Sequence, residues 1–279
     1  DDGSLGVSGS GGASTISYGG TFYPCDAGEV GELTVESLFL ADGSILAFDL
    51  GTPGVDSASD SLVVTGNLTL DGTLNVSDAG EFGLGVYNLI TYGGALTDNG
   101  LEIGVLPDGF EVAQGEVQTS VAGQINFVVS SLTNVSDDQI LFFDGADIEA
   151  DGVIDGGAGV WDNATNNFTN ADGDENSLWN GNFAVFSGEA GGVVSVEDVV
   201  ETIGIQFLTN GYSIEGGEGG EGGAALDLVD EVNNIRVGDD ISASISADII
   251  GEGAFQKVEG GSLILAGENT YTGGTVVAG

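Results

Sequence analysis

Along much of the chain every second residue is apolar, in runs only a few residues long that are bounded by Gly or Asp. From about Gly28 the rhythm is regular: Leu33 and Val35, Ile45 and Phe48, Leu62 to Val64, Leu68 and Leu70, then Leu74 and Val76. A period of two puts alternate side chains on one face, which predicts half-buried strands rather than helices. The pattern continues through 87–92, 124–129, 183–186, 193–196, 204–208, 212–214, 226–229, 235–237 and 241–250. No long stretch shows the spacing of an amphipathic helix. Eight Asp-Gly and three Asn-Gly pairs punctuate the strands, among them Asp42-Gly43, Asp71-Gly72, Asp108-Gly109 and Asn210-Gly211. These dipeptides accept the positive φ of tight turns. Strand, corner, strand, with no room for a helix between, is the grammar of a coil in a solenoid. One coil of roughly twenty residues cannot bury its own inward side chains, so coils must stack. Stacked about 4.8 Å apart, roughly a dozen such coils are expected to share one core.

Composition narrows the function classes. The chain carries 45 acidic residues against Arg236 and Lys257, a formal net charge of −43. Such a field repels phosphate backbones and anionic lipid, which argues against nucleic-acid and membrane-surface binding. Acidity of this degree often means disorder, but 41% of the residues are hydrophobic, enough to build a core. The 51 glycines show no period of three, which excludes a collagen-like chain. Cys25 is the single cysteine, so no intrachain disulfide forms. No signal peptide and no apolar run of transmembrane length stand out. The start at Asp1 and the stop inside a repeat suggest a piece of a longer polypeptide.

The tail, Gly261-Ser-Leu-Ile-Leu-Ala-Gly-Glu-Asn269-Thr-Tyr271-Thr-Gly273-Gly-Thr275-Val-Val-Ala-Gly279, resembles the passenger-associated repeat of autotransporters and related Gram-negative surface proteins. The likeness starts near Ile249 and takes in Gly251, Gly253, Phe255 and Lys257. Glu259 stands where that family usually has glycine, so a distorted corner is expected there. Residues 28–76 look like the later coils of autotransporter passengers, 87–92 and 124–129 continue the similarity, and 142–181 resemble the start of a repeat array. The resemblance implies a secreted, all-β, right-handed parallel β-helix (β-solenoid). Three segments are expected: a Gly/Ser-rich lead-in or partial coil at 1–20, a first β-helix unit at 21–136 and a second at 137–279. The polar run 130–138 marks the boundary, and the low-complexity run 216–223 reads as an exposed loop.

Catalysis finds little support. Without histidine there is no Ser-His-Asp or Cys-His nucleophile and no ordinary zinc site. Two cations are too few for a polyuronate lyase. A glycan hydrolase needs only two carboxylates, and with 45 acids the sequence selects no pair. The chain is read as a non-enzyme. Calcium is the stronger chemical candidate, because hard oxygens on flexible loops suit Ca²⁺. Asp144, Asp147, Glu149 and Asp151 alternate beside glycines, and Asp172, Asp174 and Glu175 crowd a turn. Neither stretch has EF-hand or β-roll spacing, and solvated acidic loops are the plainer reading. Trp161 and Trp179, with Phe168 and Phe183, suit either a sugar-stacking platform or a core plug, and the plug is preferred. Five Asn-x-Ser/Thr sequons, at Asn67, Asn75, Asn134, Asn163 and Asn167, fit chance in Asn- and Thr-rich turns.

The function expected is an extracellular structural or adhesive surface protein outside a Gram-negative outer membrane. A cation-bridged sheath, fibre or surface-layer subunit is the alternative, and a glycan-active hydrolase the more remote one. Expected partners are neighbouring copies of the chain and a glycan or host surface.

Overall fold

The computed structural model describes residues 4–6, 9–16, 19–130, 140–217 and 223–278. The cores of the polar run 130–138 and of the low-complexity run 216–223 lie outside the described residues, as do Asn134 and parts of the Gly/Ser-rich lead-in. The fold is all-β and divides into two compact units, residues 1–119 with 123–137, and residues 120–122 with 138–279.

In the first unit most strands pair in parallel with the strand three places on in the chain, which generates three sheets. The first contains Ser4–Gly6, Thr21–Tyr23, Ile45–Leu50, Thr73–Asp78 and Glu102–Ile103. The second contains Gly9–Gly11, Glu32–Val35, Ser61–Val64 and Gly85–Tyr92, and the third Ser14–Ile16, Leu38–Leu40, Leu68–Leu70 and Leu96–Asp98. Register explains why these residues hold together. Leu46 lies opposite Leu74, Phe48 opposite Val76, Leu33 opposite Leu62, and Leu38 opposite Leu68. Like therefore stacks on like from rung to rung, and the inward residues form one buried cluster. Truncating such a side chain to Ala costs roughly 2–5 kcal/mol.

Several rungs of the first unit are longer than the twenty residues expected from sequence, whereas in the second unit Ser262 lies opposite Ser242, 20 positions earlier, and Gly204 opposite Phe183, 21 earlier. Thr73 lies opposite Ile45, 28 positions earlier, and Leu68 opposite Leu38, 30 positions earlier. The added length sits in turns and excursions such as residues 51–60, which hold the short 3-10 helix Asp56–Ala58. Asparagines stitch rungs together: Asn67 Oδ1, at a corner, accepts from the Ala95 N–H, and Asn75 Oδ1, within a strand, from the Val105 N–H, each at 2.9 Å.

Nor is the stacking parallel throughout. Gln124–Val129 lies antiparallel on Gly85–Tyr92, and Gly115–Gln118 lies antiparallel on Gln124–Val129. An amide ladder crosses these three strands, with Asn88 Nδ2 donating to Asn126 Oδ1 and Asn126 Nδ2 to Gln118 Oε1, both at 2.8 Å. The parallel stack of the second sheet thus ends in an antiparallel pair, and Gly115–Gln118 is its edge strand.

The second unit repeats the scheme after a different start. Phe168–Thr169 lies antiparallel on Ile140–Phe143, and Asn176–Ser177 antiparallel on Phe168–Thr169. Parallel strands follow in that sheet: Phe183–Phe186, Gly204–Phe207, Val232–Val237, Ala254–Val258 and Thr275–Val277. A second sheet holds Gly156–Trp161, Ala190–Val196, Ser213–Gly216, Ser242–Ile245 and Ser262–Leu265, and a third Val199–Thr202, Ala225–Leu228 and Asp248–Gly251. Glu259, expected to distort its corner, adopts φ 73° and is buried, so it keeps the left-handed conformation that glycine takes more cheaply.

Candidate functional site

The acidic residues singled out from the sequence do not share one environment. Asp144 is buried, and its carboxylate accepts from the Asp155 N–H at 2.9 Å and from Asn176 Nδ2 at 3.3 Å. Burial pushes its carboxyl up to about 6, against the two hydrogen bonds that favour the anion. Asp147 is half-buried and caps its own turn by accepting from the Glu149 N–H, and Asp151 does the same for Val153. Glu149, Asp151, Asp172, Asp174 and Glu175 are exposed. Asp174 Oδ1 accepts from Asn170 Nδ2 at 2.8 Å, again a local turn contact. Among the described residues no three His, Cys, Asp or Glu side chains converge into a group able to hold a metal ion.

The aromatic quartet is buried. Trp161 is 0% exposed and packs edge-on against Trp179, ring centres 5.0 Å apart, while Phe168 sits 4.5 Å from Trp179. Phe143 and Phe186 extend the cluster, and Trp179 Nε1 donates to the Glu201 carbonyl. Rings enclosed in this way present no face to a sugar, so the platform reading falls and the plug stands. Tyr212 packs on Phe186, donates to the Ser187 carbonyl and accepts from the Gly157 N–H. Burial pushes its hydroxyl up to about 12.

Asp60 was invisible as a special acid from sequence. It is 1% exposed and accepts from the Gly31 and Asp49 N–H groups, both at 2.9 Å, tying two rungs together. Burial raises its carboxyl to about 6, again against those two bonds. The chain's two cations stand on adjacent strands one register step apart, Ile235 lying opposite Lys257 and Arg236 opposite Val258. The Lys257 ammonium donates to the Glu259 carbonyl.

The outward face of the first unit is what sequence reasoning missed. On the third sheet Thr15, Phe39, Thr69 and Thr97 align rung by rung, and on the second Thr34, Val63 and Thr91 do the same. All seven are exposed or half-exposed, with Phe39 at 47%. The alternation in Leu38-Phe39-Leu40 marks Phe39 as outward facing. Only the register shows that its neighbours are threonines.

No protein-family model matches the chain, and no solved structure matches it. No helix among the described residues is long and apolar enough to cross a membrane. Among curated proteins, the "Adhesin BmaC autotransporter" of Brucella suis biovar 1 (strain 1330) is 39% identical over 272 residues. That alignment covers 89% of this chain and 7% of the relative, so the chain spans a small part of the protein it matches. Over 89% of its length the chain is therefore similar to a segment of an autotransporter adhesin.

Proposed function

We propose that the chain is a non-catalytic, adhesive segment of a surface protein, built as a right-handed parallel β-helix in each unit. The observation that carries the adhesive reading is the similarity to an adhesin over 89% of the chain. The architecture agrees with it. Backbone groups and apolar side chains are spent inward and between rungs, which leaves the outward positions free to vary with a ligand. The absence of histidine and the engagement of the buried acids in backbone hydrogen bonds give hydrolysis no support. Calcium enters this reading as a counter-ion for exposed acidic turns rather than as a resident cofactor.

The test uses beads coated with the purified chain, presented to cultured animal cells beside beads coated with an inert protein of similar charge. Saturable attachment that soluble chain competes away is the expected result. Attachment no greater than that of the control beads contradicts the adhesive reading.

A further inference from the structure

In a chain with 45 acids and two cations, a row of outward positions without a carboxylate is the exception. The outward ladders of the second and third sheets of the first unit are two such rows. Thr34, Val63 and Thr91 stand on one sheet, and Thr15, Phe39, Thr69 and Thr97 on the next. The corners that join these sheets add the exposed Thr65, Gly93 and Gly94. Glu36 is an exposed carboxylate in the corner between the two ladders, stacked beneath Gly66, and Glu32 and Asp98 are exposed at the strand ends. The first sheet of the same unit differs, because Asp49 lies opposite Ser77 and Glu102 opposite Thr73.

Each threonine hydroxyl both donates and accepts a hydrogen bond, and successive rungs repeat these groups about every 4.8 Å. Phe39, an aromatic ring 47% exposed among them, offers a flat apolar surface to the C–H face of a sugar. Charge selects among possible occupants. Glu32, Glu36 and Asp98 repel sulfated or sialylated polymers, and two copies of a chain of net charge −43 repel each other. A neutral, polyhydroxylated chain pays neither penalty and matches the hydroxyl array. We propose that this face is a docking surface for neutral glycans. The inference rests on the adhesive reading and names the ligand class it would use.

The test places the full chain over an array of immobilised neutral hexose and N-acetylhexosamine oligosaccharides, with sialylated and sulfated ones beside them. Saturable binding to the neutral oligosaccharides alone is expected. Thr69→Glu puts a carboxylate in the middle of the face, and Phe39→Ala removes the ring. Each should weaken binding at least about tenfold, the loss of more than 1.4 kcal/mol of interaction. Thr97→Glu, on an exposed edge position, should do the same and guards against misfolding of the other two. Ser77→Glu, exposed on the first sheet, should change nothing. No neutral-glycan binding, or binding indifferent to Thr69→Glu and Thr97→Glu, overturns the proposal. So does a dimer that Thr69→Glu disperses, because a second copy then occupies the face. Cell attachment with a blank array sinks this inference alone, whereas loss of both sinks the adhesive reading as well.

Discussion

Asp60 shows how a single residue is used against its ordinary preference. Its carboxylate joins Gly31 to Asp49, yet burial lifts its titration from the usual carboxylate range to about 6. A folded-state value above the unfolded one means that the native chain binds the extra proton near pH 5. Stability should therefore rise as pH falls from 7.5 through 6 toward 4, until the unfolded chain protonates as well. The largest gain from a shift of about two units is roughly 3 kcal/mol. Urea midpoints at pH 7.5 and 5.5 check the sign. In Asp60→Asn the rise should be smaller, and the midpoint at pH 5.5 lower, because an amide offers one acceptor to two N–H donors. An unchanged or falling wild-type midpoint contradicts the assignment. At this scale the sequence was only partly legible. Alternation identified Phe48 as inward, but at Ile45 it was one residue out of phase, since Leu46, Phe48 and Leu50 are the buried set. Nothing in the local sequence of Asp60 distinguished it from the other acids, because its partners come from residues 11 and 29 positions away.

Turns between strands were legible as Asp-Gly and Asn-Gly pairs, but their tolerance was not. Gly72 has φ 90° and its added Cβ would meet the Ser44 carbonyl oxygen at 2.4 Å, because the turn packs on the rung before it. Gly100 has φ 92° and nothing near it. Gly100→Ala should thus cost only backbone strain, about 1 kcal/mol, and Gly72→Ala that plus a backbone clash, about 3 kcal/mol or more. Chemical denaturation of both variants measures the difference, and equal losses contradict the close approach. Strand direction was beyond reach for a related reason. The run 124–129 alternates like its predecessors, and a period of two is the same for parallel and antiparallel neighbours. Only the structure shows it reversed against Gly85–Tyr92. The aromatic residues near 161–186 were legible as a plug because tryptophans among strand-forming residues seldom stay on a surface.

For the whole molecule, charge and stacking act together. Trypsin has two sites, Arg236 at 9% exposure and the half-buried Lys257, both inside paired strands. The native chain should stay intact under a trypsin load that reduces the urea-unfolded chain to three fragments. Rapid native cleavage contradicts the burial of that region. The central claim is that residues about twenty to thirty positions apart lie side by side in parallel register, and cysteine pairing tests it most directly. In a Cys25→Ser background, Val63→Cys with Thr91→Cys places thiols on register partners of adjacent parallel strands, a separation that a disulfide spans. Val63→Cys with Thr97→Cys places them on different sheets. Mild oxidation followed by mass measurement should show near-complete bridging of the first pair and almost none of the second. Equal bridging, or bridging of the second alone, would contradict the stacked register on which the fold and its outward face depend.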